Sequence, residues 1–222
     1  MRRFRFYQWN DFHMRNRDVQ GRSAGYPGCN EKAAWAAACA RGEVEGIEAP
    51  NFIASVGDLI CGEIDDYDED YRHFDDHLRQ AVDVPLMPCV GNHENRQGEG
   101  VEAHNVAYDR CFGTGWHNYV YRVGGMAFIV VDTSGAHRQP DGITAARNAF
   151  VARAFEHIGD QPAFVLSHVP LVPMRQVSAL EQSFGFSSWK VLDEGLLRVV
   201  EDHREQIVAV LCGHIHLTSV VE

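Results

Sequence analysis

Short clusters of Asp, Asn and His follow five apolar segments of the chain, and these residue types are common metal ligands and acid–base groups. Each cluster stands where an apolar segment ends, often beside a glycine. The five clusters, each given with the last apolar residue before it, are Trp9-Asn10-Asp11-Phe12-His13, Val56-Gly57-Asp58, Val90-Gly91-Asn92-His93-Glu94, Leu166-Ser167-His168 and Leu211-Cys212-Gly213-His214-Ile215-His216. One such cluster is typical of a turn. Five clusters that each follow an apolar segment predict that their side chains form one functional site.

The elements that must position these clusters are strands that alternate with helices. The predicted strands cover residues 3–10, 51–56, 84–90, 119–123, 126–132, 163–166 and 207–211. The predicted helices cover residues 31–41, 68–82, 101–112, 144–157 and 192–203. Asn30 is the expected N-cap of the first helix, and Gly124-Gly125 marks a hairpin. This alternation predicts an α/β fold with largely parallel strands and some antiparallel pairing.

The ligand types narrow the chemistry of the predicted site. Ligands bind outside the carboxyl ends of the strands in an open α/β sheet, so parallel strands would bring all five clusters to one edge. Oxygen and imidazole ligands without thiolate suit Mn²⁺, Fe or Zn²⁺ in a hydrolytic role. The ligands are too many for one ion with an open position, whereas an aspartate shared by two ions about 3.5–4 Å apart would use them well. With a bridging hydroxide, such a site keeps about one positive charge, which favours an anionic substrate.

Length, composition and charge exclude several classes of protein. The 222 residues are 45% hydrophobic, which suits one α/β domain over residues 1–222. A net charge of −11 disfavours nucleic acids and anionic membranes as partners. No apolar segment reaches the roughly 18–20 residues that span a bilayer. The six cysteines include no C-x-x-C pair, which indicates reduced thiols and a cytoplasmic location.

The order of the motifs carries a family resemblance. D-x-H, G-D, G-N-H-E, a later single His and G-H-x-H follow one another from Asp11 to His216. This ordered set resembles the calcineurin-like metallophosphoesterase superfamily, and its motif style is closest to the class III cyclic-nucleotide phosphodiesterase group. The resemblance implies a four-layer αββα sandwich with two mixed β-sheets. It also implies a dinuclear metal site at the carboxyl ends of the strands.

The resemblance also implies a role for each motif residue. The implied metal ligands are Asp11, His13 and His216 for one ion, Asn92, His168 and His214 for the other, and Asp58 as the bridge. His93 would bind no metal and would protonate the leaving alkoxide or stabilise its charge. A hydroxide on the metals would attack phosphorus in line.

The sequence departs from the family pattern in two places. Asp58 is followed by Leu59-Ile60-Cys61-Gly62, without the Asp and Arg of protein phosphatases, so the group that orients His93 is unidentified. Cys61 also stands where purple acid phosphatases place a metal-ligating Tyr, which argues against that branch. The chain ends six residues after His216, so we expect a truncated chain or an unusually small second sheet.

These observations predict a phosphoesterase that hydrolyses a small phosphodiester or phosphomonoester. Arg15, Arg17 and Arg96 follow two of the motifs and are candidates for gripping a substrate phosphate. The acidic residues between positions 63 and 70 are expected to form a solvated loop that leads into a helix. Two alternatives stay open, namely a non-catalytic interaction scaffold and a nuclease of the same superfamily. The sequence does not determine the oligomeric state.

Overall fold

The computed structural model describes residues 3–15, 29–62, 67–94, 106–135, 144–172 and 193–216. The strands in these residues are β1 Phe6–Trp9, β2 Phe52–Ser55, β3 Leu86–Met87, β4 Tyr119–Val123, β5 Met126–Val131, β6 Ala163–Ser167 and β7 Ile207–Leu211. The α-helices are α1 Cys29–Ala40, α2 Tyr67–Phe74, α3 Val106–Phe112, α4 Thr144–Ile158 and α5 Glu194–Asp202. A π-helical turn, Asp75–Arg79, continues α2, and a 3-10 turn, Arg204–Gln206, precedes β7.

Two sheets form the centre of the fold. The first has the order β1-β2-β3 and is parallel throughout its described strands. The second has the order β4-β5-β6-β7 and is mixed, because β4 is antiparallel to β5 and the other pairs are parallel. Gly124 and Gly125, with φ of 62° and 90°, form the turn of the predicted β4–β5 hairpin. Residues 217–222 lie outside the described residues, so the expectation of an unusually small second sheet stays a prediction.

The two sheets pack face to face through an aromatic core. Phe52 of the first sheet meets Phe128 of the second edge to face, with ring centroids 5.4 Å apart. Phe6 stacks on Phe52 at 5.4 Å, and Phe128 stacks on Phe164 at 5.0 Å. Such contacts combine a large buried apolar area with favourable ring geometry. The core therefore fixes the position of one sheet relative to the other.

Helices cover the outer face of each sheet. Side chains alternate along the strands, so Ile53 points away from Phe52 and packs with α1, α2 and α3. In the second sheet, Ile129 likewise packs with α4 and α5, opposite to Phe128. The layers are therefore helix, sheet, sheet and helix, and the predicted four-layer αββα sandwich is confirmed.

Asn30 does not cap helix α1 as the sequence predicted. The helix already begins at Cys29, so Asn30 lies in its first turn. Its side-chain amide donates to the carbonyl oxygen of Arg15 at 3.0 Å and accepts from the Arg15 N–H at 3.3 Å. The side chain thus ties the helix to the segment that follows β1. A local signal could not distinguish this long-range contact from a cap.

Candidate metal centre

The loop after β1 runs beside the loop after β2, which extends the parallel pairing of the two strands. The N–H of Asp11 donates to the carbonyl of Gly57 at 3.1 Å, and the N–H of His13 donates to that of Asp58 at 3.0 Å. Met14 then forms a parallel bridge with Ile60. These bonds place the first two predicted clusters side by side at the carboxyl edge of the sheet.

A first group of donor atoms comes from Asp11, His13 and His216. The Nε2 atoms of His13 and His216 are 2.9 Å apart. Oδ1 of Asp11 lies 3.4 Å from Nε2 of His216 and 4.0 Å from Nε2 of His13. The structure therefore brings together three side chains from opposite ends of the sequence.

A second group comes from Asp58, Asn92, His168 and His214. Oδ1 of Asn92 lies 2.9 Å from Nε2 of His168 and 2.7 Å from Nδ1 of His214. Oδ2 of Asp58 is 3.2 Å from Nε2 of His168. Nδ1 of His168 faces the carbonyl oxygen of Val56 at 2.8 Å. Because a carbonyl only accepts, Nδ1 carries the hydrogen and Nε2 is the metal-binding atom of that ring.

Asp58 stands between the two groups. Its Oδ2 is 3.2 Å from Nε2 of His168 in the second group and 3.8 Å from Nε2 of His13 in the first. Its Oδ1 accepts a hydrogen bond from the backbone N–H of His93 at 2.9 Å. One carboxylate therefore faces both sets of donors, which is the arrangement that a shared ligand requires.

The donor sets fit metal ions in chemistry and in spacing. Ligand atoms that sit about 2.0–2.2 Å from one ion lie roughly 3 Å from each other. The closest donor pairs are 2.7–3.4 Å apart. Donor atoms of Asp11, His13 and His216, and likewise those of Asp58, His168 and His214, all lie within 4.8 Å of one another. Nitrogen and oxygen donors without thiolate suit a hydrolytic site of this kind.

Backbone strain coincides with the candidate ligands. In the described part of the chain, five residues other than glycine have a positive φ, between 49° and 74°. These residues are Asp11, His13, Asp58, His214 and His216. Left-handed backbone at such residues costs on the order of 1–3 kcal/mol each and is concentrated at functional sites. All five belong to the predicted ligand set.

Burial and the neighbouring charges shift the pKa values of Asp58, His13 and His168 in different directions. Burial raises the pKa of Asp58, but the charges of His168 and His93 outweigh this effect and hold that pKa well below its usual range. Burial lowers the pKa of His13 to about 3, so its ring is neutral, as metal binding requires. Burial opposes a proton on His168, yet the charge of Asp58 raises its pKa to about 9.

His93 lies at the edge of both groups and has a defined orientation. Its Nδ1 is 2.5 Å from the carbonyl oxygen of Cys61, and its ring is 4.4 Å from that of His13. The carbonyl accepts, so Nδ1 donates and proton exchange falls to Nε2. The carbonyl of Cys61 is therefore the orienting group that the sequence left unidentified. A donor atom of His93 also lies within 4.8 Å of donor atoms of His13 and Asp58.

Glu94 is a site residue that the sequence analysis did not single out. It is completely buried, and its Oε2 accepts from the N–H groups of Asp58 at 2.7 Å and Gly91 at 2.8 Å. Its Oε1 accepts from the N–H groups of Leu59 at 2.6 Å and Ile60 at 3.3 Å. Burial, with the charge of Asp58, raises the pKa of Glu94 to about 7. Its place directly after Asn92 and His93 was the available signal.

Of the three predicted phosphate-binding arginines, the structure describes Arg15. Arg15 is 5% exposed, so it is not a solvated side chain, and its backbone is held by Asn30. Arg17 and Arg96 lie outside the described residues. Their contact with a substrate stays a prediction.

The sequence predicted that the acidic residues between positions 63 and 70 form a solvated loop, and this prediction is wrong for the last of them. Asp70 is completely buried within α2, although it belongs to that acidic segment. Residues 63–66 lie outside the described residues.

The chain matches a known protein family along nearly its whole length. A sequence model described as calcineurin-like phosphoesterase matches residues 4–217. The chain belongs to the calcineurin-like phosphoesterase family. Members of this family use a dinuclear metal site, and the structure of this chain contains candidate groups of His and Asp ligands. No curated protein sequence matches the chain.

Two solved structures share the fold of this family member. One is a dimetal phosphatase from Danio rerio, with a TM-score of 0.63 and 14% identity over 96% of this chain and 82% of that chain. The other is a purple acid phosphatase from yellow lupin (Lupinus luteus) seeds, with a TM-score of 0.60 and 14% identity. It aligns with 95% of this chain, which spans 37% of that protein. Membership of this family supports metal-dependent hydrolysis of phosphoesters as the general activity of the chain.

None of the described helices combines the length and apolar character that crossing a membrane would require. None of the six cysteines forms a disulfide in the structure.

Proposed function

We propose that this protein hydrolyses a small phosphodiester or phosphomonoester with the help of two metal ions, each Mn, Fe or Zn. The observation that carries the proposal is the position of Asp58, whose carboxylate faces donor atoms of both groups. A single shared carboxylate between two sets of donors suits a two-ion site better than two separate sites.

The candidate ligands divide into two sets around Asp58. One ion would be held by Asp11, His13 and His216, the other by Asn92, His168 and His214, and Asp58 would bridge them. When bound, the two ions supply a Lewis acid for the phosphate oxygens and an activated water for in-line attack on phosphorus. The chain itself contributes the fixed geometry of the donors, which its left-handed backbone sets before substrate arrives.

His93 is the proposed proton donor to the leaving group. The carbonyl of Cys61 holds Nδ1, so the ring delivers its proton from Nε2 to the leaving alkoxide. Burial lowers the pKa of His93, but the charge of Asp58 and the bond to Cys61 outweigh it and raise that pKa. A raised pKa keeps more of the acid form at neutral pH, which suits a proton donor.

The substrate class follows from charge. Two divalent ions, offset by the carboxylates of Asp11 and Asp58, would leave a positive charge at the site. An anionic phosphate ester matches this surplus. The net charge of −11 disfavours long nucleic acids, so a small molecule is the expected partner. Arg17 and Arg96 stay candidates for contacts with the substrate phosphate, together with Arg15.

A substrate panel run together with elemental analysis tests the proposal. Protein loaded with Mn²⁺, Fe or Zn²⁺ is assayed on aryl monoesters, aryl diesters and cyclic nucleotides, and its metal content is measured in parallel. We expect two ions per chain and turnover of at least one ester class. Two ions without any turnover would indicate a scaffold, and digestion of single-stranded DNA in preference to small esters would indicate a nuclease.

The Asp58→Asn variant tests the bridge directly. Removing one charge from the shared ligand weakens the binding of both metal ions. We therefore expect metal content to fall well below two ions per chain and turnover to be lost. The matched control is Asp76→Asn, an exposed aspartate in the π-helical turn after α2. An Asp58→Asn variant that still binds two ions would contradict the assignment of Asp58 as the bridge.

A further inference from the structure

We propose that Asp70, on helix α2, is a positioning residue for His93 and acts through the peptide group between Cys61 and Gly62. The inference rests on the proposed function, in which His93 is the proton donor. It assigns to Asp70 the task of an orienting carboxylate that does not touch the imidazole itself.

The first contact joins Asp70 to the peptide group. Asp70 is completely buried, and its Oδ2 accepts a hydrogen bond from the N–H of Gly62 at 3.1 Å. It lies on the buried side of α2 beside Tyr71 and near Phe74, so packing of the helix fixes its position. Burying a carboxylate is costly unless polar groups compensate it, and the Gly62 N–H is one such group.

The second contact joins the same peptide group to His93. The carbonyl of Cys61, which belongs to the peptide unit that contains the Gly62 nitrogen, accepts from Nδ1 of His93. A peptide unit is planar, and its N–H and C=O point in opposite directions. Asp70 therefore holds one end of the plane while His93 binds the other. Rotation of this peptide would break both hydrogen bonds at once.

The negative charge of Asp70 also has an electronic consequence. A carboxylate at the N–H end polarises the peptide group and makes its carbonyl a stronger acceptor, because hydrogen bonds in a chain reinforce one another. The stronger acceptor favours hydrogen on Nδ1 of His93. The peptide group thus relays the influence of a carboxylate that is not in contact with the ring.

Gly62 makes the arrangement specific. Its φ is +59°, and a Cβ at this position would lie 1.8 Å from the carbonyl oxygen of His93. The backbones of Gly62 and His93 are therefore in direct contact, and only glycine fits between them. Any larger residue must displace either the peptide group or the backbone of His93.

A kinetic experiment on Mn²⁺-loaded protein tests Asp70. We expect Asp70→Ala to keep two ions per chain and an unchanged KM, but to lower kcat on an alkyl ester by at least about tenfold. The loss on an aryl ester should be smaller, because a good leaving group needs no proton. Asp70→Asn keeps an oxygen acceptor for the Gly62 N–H but lacks the charge, so its kcat should lie between that of Asp70→Ala and that of wild type. The matched control, Asp76→Ala, should behave as wild type.

A second measurement does not depend on activity. Long-range ¹H–¹⁵N spectra of Zn²⁺-loaded protein, recorded at a pH at which His93 is neutral, should show its hydrogen on Nδ1, and Asp70→Ala should shift the ring toward the other tautomer. An Asp70→Ala protein with the wild-type tautomer and equal losses on both ester types would overturn the proposal. If Asp70→Ala does not fold, Asp70→Asn takes its place, and the same result with that variant would overturn the proposal. Failure of wild-type protein to hydrolyse any ester would refute the proposed function and leave the spectroscopic test intact.

Discussion

At the scale of single residues, the candidate site is built from strained backbone. Five of the seven predicted ligands adopt a left-handed conformation that the chain avoids elsewhere in its described residues, glycines apart. The strain persists because neighbouring contacts over-determine it. Asp11 illustrates this, because its carboxylate accepts from the backbone N–H of His214 at 2.9 Å and from the Asn10 amide at 2.5 Å. The donors are therefore preorganised.

The role of His93 can be tested by truncation. We expect His93→Ala to keep both metal ions and to lower kcat on an alkyl ester by about 10²-fold or more, the usual contribution of a general acid. The effect on an activated aryl ester should be much smaller, since its leaving group departs without a proton. Metal content and the two rate constants are measured on the same preparation. An alkyl-ester rate near that of wild type would exclude His93 as the proton donor.

At the scale of elements, Glu94 fastens the loop after β3 to the loop after β2. Four buried N–H groups, two of them from Asp58 and Gly91, share its carboxylate. We expect Glu94→Ala to lower the free energy of unfolding by about 3 kcal/mol or more, because each buried donor left unsatisfied costs about 1–3 kcal/mol. Urea denaturation of metal-free protein measures the change.

The control for Glu94 is Glu43, an exposed carboxylate that pairs with Arg41. Glu43→Ala should leave the unfolding midpoint nearly unchanged, because exposed ion pairs contribute little. A Glu94→Ala protein as stable as wild type would show that water replaces the lost acceptor.

His117 joins helix α3 to the end of β5 through two aspartates. Its Nε2 is 2.8 Å from Asp109, its Nδ1 is 3.5 Å from Asp132, and its ring lies 5.0 Å from that of Tyr108. Burial lowers the pKa of His117, but the neighbouring carboxylates of Asp132 and Asp109 outweigh it and raise that pKa above 6.5. The folded protein therefore binds this proton more tightly than the unfolded chain does.

This linkage sets the sign of a pH effect. The stabilisation from His117 is fully present below pH 6.5 and is lost as the pH rises through the raised pKa of the folded state. We expect the excess stability of wild type over His117→Gln, measured by urea denaturation, to shrink from pH 6 to pH 9. Taking the difference between the two proteins cancels the other histidines. An excess that stays constant or grows with pH would contradict this account.

At the scale of the whole molecule, the periodic segments and the ends of strands were predictable from sequence, and long-range contacts were not. Residues that follow parallel strands of the same sheet, such as Asp11 after β1 and Asp58 after β2, could be assigned to one edge because parallel strands share their polarity. The burial of Asp70 and the clamp formed by Glu94 could not be assigned, because each depends on a partner in another element. The prediction that Asn30 caps α1 failed for the same reason. An N-cap is predicted from neighbouring residues alone, whereas the contact of Asn30 with Arg15 is long-range.

The central claim is that two metal ions lie on either side of the Asp58 carboxylate. Anomalous diffraction from crystals of the Mn²⁺-loaded protein, with data collected at the manganese edge, tests it most directly. We expect two anomalous peaks about 3.5–4 Å apart, one between Asp11, His13 and His216 and the other between Asn92, His168 and His214. A single peak, or two peaks of which only one is in contact with Asp58, would contradict it.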